Sequence, residues 1–227
     1  MMKCYLGASL RPAGAAMSKV RFKYIKSGRA KFISHLDLMS TMQRAFLRAG
    51  VALKYSEGFN PHPYMSVALP LQVGCESSCE LIDVGLMDET LPDIESIVLP
   101  EGIQILEAYK PSRKFSEIVW VAIEVTLHYN KNITQNFMEQ LNACFARENL
   151  MITKRTKRGF KELDIAPYLK NVEFDIDGEV IMTAQISAQD PTLNLMDIES
   201  VLEDEIKPEH LELKRIDIYD SNMIRFK

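Results

Sequence analysis

The sequence predicts an α+β protein built as two tandem ferredoxin-like (βαββαβ) halves with antiparallel sheets. Three observations predict it. Short runs that alternate apolar and polar residues are interleaved with a few runs of helical period. Their order in the first half is β-α-β, an extended insertion, then β-α-β, and the same order recurs in the second half. Pro111-Ser112-Arg113-Lys114 reads as the joint. The expected units are residues 19–111, with a Pro-rich loop inserted, and 115–227, with a basic loop. No sequence repeat relates them, so the duplication rests on element order.

Each element has its own warrant. Val20, Phe22 and Tyr24 alternate with Arg21, Lys23 and Ile25, a strand pattern. Ser34-His35-Leu36-Asp37 has the form of a capping box, with Asp37 reaching back to the cap N–H. The helix it opens runs to Ala49 on a stripe of Met39, Met42, Ala45, Phe46 and Ala49, and Gly50 ends it. Strands are expected at 51–55, 65–71, 80–86 and 103–109, with a short helix over 91–98 capped by Thr90. In the second half the reading is strand 117–129, helix 132–148 and strand 151–156. A basic loop and an irregular segment to Leu169 follow. Strands 172–175 and 179–186 flank the turn Asp177-Gly178, then come helix 195–205 and strand 211–219. Residues 1–18 are expected to be a disordered or mis-assigned extension, with Met17 as the natural start.

Composition narrows the function classes. A chain of 227 residues with 47% hydrophobic and 26% charged residues is ordinary globular material. Its longest clean apolar run, Ile118 to Ile123, is far short of the roughly 20 residues a membrane helix needs. No membrane partner is expected. Four sparse cysteines point to a reducing, cytoplasmic setting. The net charge of −4 is unevenly placed. Residues 1–80 hold 11 Lys/Arg against 4 Asp/Glu, and 151–170 hold 6 against 2, whereas 171–227 hold 5 against 14. The two basic stretches are either anion-facing surfaces or ordinary solvated faces.

Several motifs occur together. They are Lys31-Phe32-Ile33-Ser34-His35-Leu36-Asp37, Arg44-Ala45-Phe46-Leu47-Arg48-Ala49-Gly50, Tyr55-Ser56-Glu57-Gly58-Phe59-Asn60-Pro61-His62-Pro63, Leu69-Pro70-Leu71-Gln72-Val73-Gly74 and Lys157-Arg158-Gly159-Phe160-Lys161-Glu162-Leu163-Asp164-Ile165. From Val20 onward the chain resembles the radical-SAM-linked domain family of unknown function DUF2344, above all in the Ser56–Pro63 segment. The resemblance implies a domain fused to, or encoded beside, a cobalamin-binding-type radical SAM protein, near a ribonuclease of the E/G type. It implies an accessory role close to RNA. The partner, not this chain, would carry the iron–sulfur cluster, SAM and possibly cobalamin; no cofactor is expected here. The family pattern has a basic residue where this chain has Ala166, so no anion contact is expected at that position.

Several constellations bear on chemistry. Cys75 and Cys79 open like the triple-cysteine motif of a radical SAM cluster, but the third position is Ile82, so the chain is not itself such an enzyme. The pair is either a redox or shared-metal site or two small buried hydrophobes. No zinc spacing is present. His35 is the one catalytic candidate, as acid or base in a metal-independent, ferredoxin-like endoribonuclease; its plain alternative is a residue inside a helix cap. His128 and His210 show no obvious partners. Lys154, Arg155, Lys157, Arg158 and Lys161 place five cations within eight residues, a phosphate-binding pattern. Arg44 and Arg48, one turn apart, could extend it together with Arg21, Lys23, Lys26, Arg29 and Lys31. Tyr55, Phe59, Asn60, His62 and Tyr64 lie in or beside a loop stiffened by Pro61 and Pro63 and could contact bases or a partner. The other reading makes Phe59 a plug packed on the sheet.

The leading expectation is a cytoplasmic, non-catalytic module that binds structured RNA (ribosomal or transfer RNA) for a radical SAM protein, with no small-molecule substrate. The alternatives are the His35 endoribonuclease and a protein-only adaptor docking on the radical SAM enzyme.

Overall fold

The computed structural model of the chain describes residues 18–156 and 159–227. The expected extension at 1–18 therefore lies, Ser18 apart, outside the described residues. In chain order the elements are β1 (Ser18–Lys26), α1 (His35–Arg48), β2 (Met65–Val67), β3 (Glu76–Leu86), β4 (Ile103–Tyr109) and β5 (Trp120–His128). Then come α2 (Gln135–Phe145), β6 (Met151–Thr156), β7 (Gly159–Asp164), β8 (Leu169–Asp177), β9 (Glu179–Ser187), α3 (Leu195–Glu199) and β10 (His210–Tyr219).

The class is α+β with mainly antiparallel pairing. One sheet runs through the strands in the order β4-β1-β3-β10-β5-β9-β8, with β2 on β3, and β6–β7 form a separate hairpin. Both halves thus share one sheet. They join where β10 lies parallel to β3, with Lys214 opposite Glu76 and Arg215 opposite Ser77. That edge of β3 is divided, because β2 pairs with its other end through Met65–Val84 and Val67–Ile82.

There are two cores, the second of which also takes in Cys75, Cys79 and Leu81 from the first half. In the first, Val20, Phe22 and Tyr24 of β1 are fully buried with Leu38, Met42, Ala45 and Phe46 of α1. The Phe22 and Phe46 rings meet at 4.8 Å, and truncating such a phenylalanine to alanine costs roughly 3–5 kcal/mol. Met39 and Ala49, expected in the stripe, flank it half-buried. In the second, Val121, Ile123, Val125 and Leu127 of β5 pack with Val180 and Met182 of β9 and with Phe137 and Leu141 of α2. Gly102 lets the turn before β4 approach Ser27, whose N–H donates to the Gly102 carbonyl at 2.8 Å; its φ of +85° and a clash of any Cβ with Ser27 exclude other residues there.

Several elements differ from expectation. Ser34 does cap α1, accepting from the Asp37 N–H at 3.1 Å, but Asp37 takes the Ser34 hydroxyl at 2.7 Å rather than the backbone N–H. Residues 51–55 make only isolated bridges, Leu53 to Leu86 and Tyr55 to Pro63, because their backbone bonds are divided between the end of β3, through Gly85 and Met87, and the returning 62–64 segment. The helix expected over 91–98 is a single 3-10 turn at Ile94–Ser96. Asp93, not Thr90, caps it, accepting from the Glu95 N–H, and Leu91 and Val98 stay exposed with no stripe to bury. α3 stops at Glu199, after a capping box between Asn194 and Asp197. The irregular segment before Leu169 begins instead as strand β7.

Candidate functional site

Two inserts project from this sheet. The first runs from Lys54 to Tyr64. Ser56 N–H donates to the His62 carbonyl at 2.8 Å and Tyr64 N–H to the Lys54 carbonyl at 2.9 Å, so the chain doubles back as a tight loop. The Ser56 hydroxyl also accepts from the His62 N–H at 3.0 Å. Tyr55 is half-buried and 3.4 Å from the amide of Gln43. Asn60 and His62 are exposed, Tyr64 is partly so, and Phe59 at the tip is fully exposed. Phe59 is therefore not a plug on the sheet.

The second insert is the β6–β7 hairpin, in register from Met151–Asp164 to Thr156–Gly159. Lys154 stands opposite Lys161 and Arg155 opposite Phe160. Lys154 is tied down: its Nζ donates to the Thr192 carbonyl at 2.7 Å and to Asp197 Oδ2 at 2.8 Å. Lys161 is exposed, and Phe160 is 78% exposed. Lys157, Arg158 and the side chain of Arg155 lie outside the described residues.

The remaining sequence candidates are divided between surface and interior. Arg44 and Arg48 are exposed on α1, Arg48 donating to the Val98 carbonyl at 2.9 Å. Arg29 is exposed as well. Arg21 and Lys26 are not surface cations, being 1% and 2% exposed. Arg21 clasps Asp83 through Nε (2.7 Å) and Nη2 (3.1 Å), donates to the Arg113 carbonyl, and lies 4.2 Å from the centre of the Phe115 ring. Lys26 donates to the Ile33 carbonyl at 3.1 Å. Burial outweighs the attraction of Glu80 and lowers its pKa. Lys31 is paired with Glu212 at 3.1 Å. His35 is exposed at the first turn of α1. His128 and His210 do have partners: their rings stack at 5.6 Å across β5 and β10, and His128 Nδ1 is 3.2 Å from Glu179.

Cys75 and Cys79 are both 3% exposed. Burial pushes the Cys79 thiol up to about 12, with Glu80 adding to the effect, and raises Cys75 too. Thiolate chemistry is disfavoured at both. No group of three metal-binding side chains converges among the described residues, and no described helix is long and apolar enough to cross a membrane.

What the sequence did not disclose is a cavity of about 340 Å³ at the join of the halves. Loop residues Leu69 and Leu71 bound it on one side, and Val121, Ile123, Ile186 and Leu213 on the other. Arg215 lines it, with Nη1 donating to Glu80 Oε1 at 2.7 Å and to the Leu69 carbonyl at 2.9 Å. Close behind lies Tyr24, whose hydroxyl has no hydrogen-bond partner among the described residues. Burial, reinforced by Glu80, raises its pKa well above the usual phenol value. An arginine inside the last strand pattern was the available signal, but no sequence spacing links it to Glu80.

A family model described as "Uncharacterized protein conserved in bacteria (DUF2344)" matches residues 19–195. No curated protein matches the chain. Among solved structures, one titled "Crystal Structure of a Cbf5-Nop10-Gar1 Complex" is similar at 11% identity and a TM-score of 0.44, over 86% of this chain and 48% of that one.

Proposed function

The chain belongs to the DUF2344 family, and on that premise we propose that it is a cytoplasmic, non-catalytic accessory module that binds structured RNA and works with a radical SAM protein. The observation that carries the RNA reading is Phe160. It is 78% exposed beside the exposed Lys161, on a hairpin held in register along its length and anchored through Lys154. A phenylalanine held rigidly in water next to cations offers a stacking face and phosphate contacts together. The fully exposed Phe59, on the braced 54–64 loop, offers a second such face. The radical SAM partner, with its cluster, SAM and possibly cobalamin, is supported by the family motifs around Ser56–Pro63.

The test is a titration of fluorescently labelled transfer RNA with the full chain at several salt concentrations, with the same samples run on a denaturing gel. Expected are intact RNA and an affinity that falls steeply with salt, more weakly so in Lys161→Glu. Absence of binding at low salt overturns the reading. Cleaved RNA, abolished by His35→Ala, would put the endoribonuclease in its place. The protein-only adaptor has one observation in its favour: Phe32 and Leu36, flanking the start of α1, are 64% and 76% exposed. It predicts a complex with the radical SAM protein without RNA affinity, lost in Leu36→Asp.

A further inference from the structure

We propose that the cavity at the join of the two halves binds a small organic anion, a molecule with an apolar body and one carboxylate-like head. The sequence suggests no small-molecule ligand, and the walls are what argue for one. Val121 and Ile123 from β5, Ile186 from β9 and Leu213 from β10 give it an apolar side, and its 340 Å³ falls in the size class of small-ligand sites. These residues come from three adjacent strands and give the cavity one rigid wall, which the 68–75 and 188–194 loops close from the other sides.

Arg215 specifies the head. Glu80 and the Leu69 carbonyl both draw on Nη1, which fixes the guanidinium plane. The other N–H groups of Arg215 have no acceptor among the described residues. A held fork with a free edge is the group that best fits a carboxylate. The surrounding charge agrees. Arg215, Lys26 and Lys31 all act on the Cys75 thiol in the cavity lining, opposed by Glu80. Lys31 is itself paired with Glu212. Asp190, the acidic residue in the lining, is exposed to water.

The experiment uses two probes with one body. 8-Anilinonaphthalene-1-sulfonate carries an anionic head, and N-phenyl-1-naphthylamine does not. Titrated into the full chain, the sulfonate should occupy one site at least about tenfold more tightly than the neutral amine, the size of one charge-assisted hydrogen bond. Octanoate should displace it where octanol at equal concentration does not. Replacing Arg215→Met together with Glu80→Gln removes the pair without stranding a buried charge, and should erase the anionic preference while the neutral probe still binds. Phe59→Ser and Phe160→Ser should change nothing. Equal binding of both probes, displacement by octanol as readily as by octanoate, or loss of binding in the phenylalanine variants overturns the proposal. The octanoate–octanol comparison decides the matter on the unaltered chain if the double variant fails to fold.

Discussion

The interior around β1 and β3 and the two projecting inserts break opposite rules of residue placement. Arg21, Lys26, Glu80 and Asp83 are charged residues no more than 5% exposed. Phe59 and Phe160 are apolar residues standing in water. The buried charges are partnered: Arg21 with Asp83, Glu80 with Arg215, Lys26 with a carbonyl. Among the described residues, the exposed rings are not. A buried charge without its partner destabilises the fold, so the interior pairs are constrained by stability. An exposed ring costs the fold little, so what keeps the inserts in place is their backbone hydrogen bonding, and the rings are left available to something outside the chain.

The sharpest way to break the comparison is Asp83→Ala. It leaves the Arg21 guanidinium inside the protein without a carboxylate, held by the Arg113 carbonyl and Tyr109 and by two aromatic rings, Phe115 and Phe226. A loss of about 3–5 kcal/mol is expected, read as the drop in the urea midpoint at constant slope. A change under about 1 kcal/mol would mean that Arg21 reaches water and the pair is a surface one in effect.

Next in size is the protection of the thiols. Cys75, Cys79 and Cys144 are buried, and burial raises the pKa of each. At pH 8 a thiol reagent should label these three at least about tenfold more slowly in the folded chain than in urea, because labelling waits on opening. Fast labelling of Cys75 or Cys79 would restore the redox reading for the pair.

Much of this was legible in the sequence, and what was not has a common cause. The alternation of Val20, Phe22 and Tyr24 gave β1, and the Ser34 cap gave α1, because period and capping are local properties. Asp177-Gly178 gave the β8–β9 hairpin for the same reason. The burial of Arg21 and Lys26 was not legible. Both looked like members of a basic surface until Asp83, 62 residues away, Phe115 and Phe226 near the C-terminus closed over one of them. The 91–98 segment misled because a capping threonine such as Thr90 and a proline such as Pro92 near the start are equally at home before one 3-10 turn and before a longer helix. The cavity was invisible because its wall is assembled from β5, β9, β10 and the 68–75 and 188–194 loops, which only the sheet order brings together.

A smaller effect tests the lid over Arg21. The Asp220 carboxylate accepts from the Ile224 N–H at 2.9 Å, from Arg113 at 2.8 Å and from the Asn222 N–H at 2.8 Å. These contacts, the Ile224 N–H first, hold its pKa below the usual 3.8. The folded value lies below the unfolded one, so the contribution is complete above pH 3.8 and is lost as the pH falls through the folded value. The melting temperature should decline on acidification below that point, and Asp220→Asn should flatten the decline. An unchanged acid limb in the variant would remove Asp220 from the account.

The smallest expected effect on the fold separates the two regions most cleanly. Phe59→Ser and Phe160→Ser remove rings that the molecule does not bury, so each should leave the urea midpoint unchanged within about 0.5 kcal/mol. On the RNA reading each should still weaken transfer-RNA binding by roughly 1–3 kcal/mol, the scale of one base stacked on an aromatic side chain. Lys161→Glu should act differently, lowering the salt slope as well as the affinity, because it removes a phosphate contact and not a stacking face. If both phenylalanine variants bind as the unaltered chain does while Lys161→Glu does not, the hairpin is an electrostatic surface alone and its exposed ring belongs to a protein interface. If either variant instead destabilises the fold by more than about 1 kcal/mol, the ring is packed in solution and the contrast between insert and interior fails at that insert.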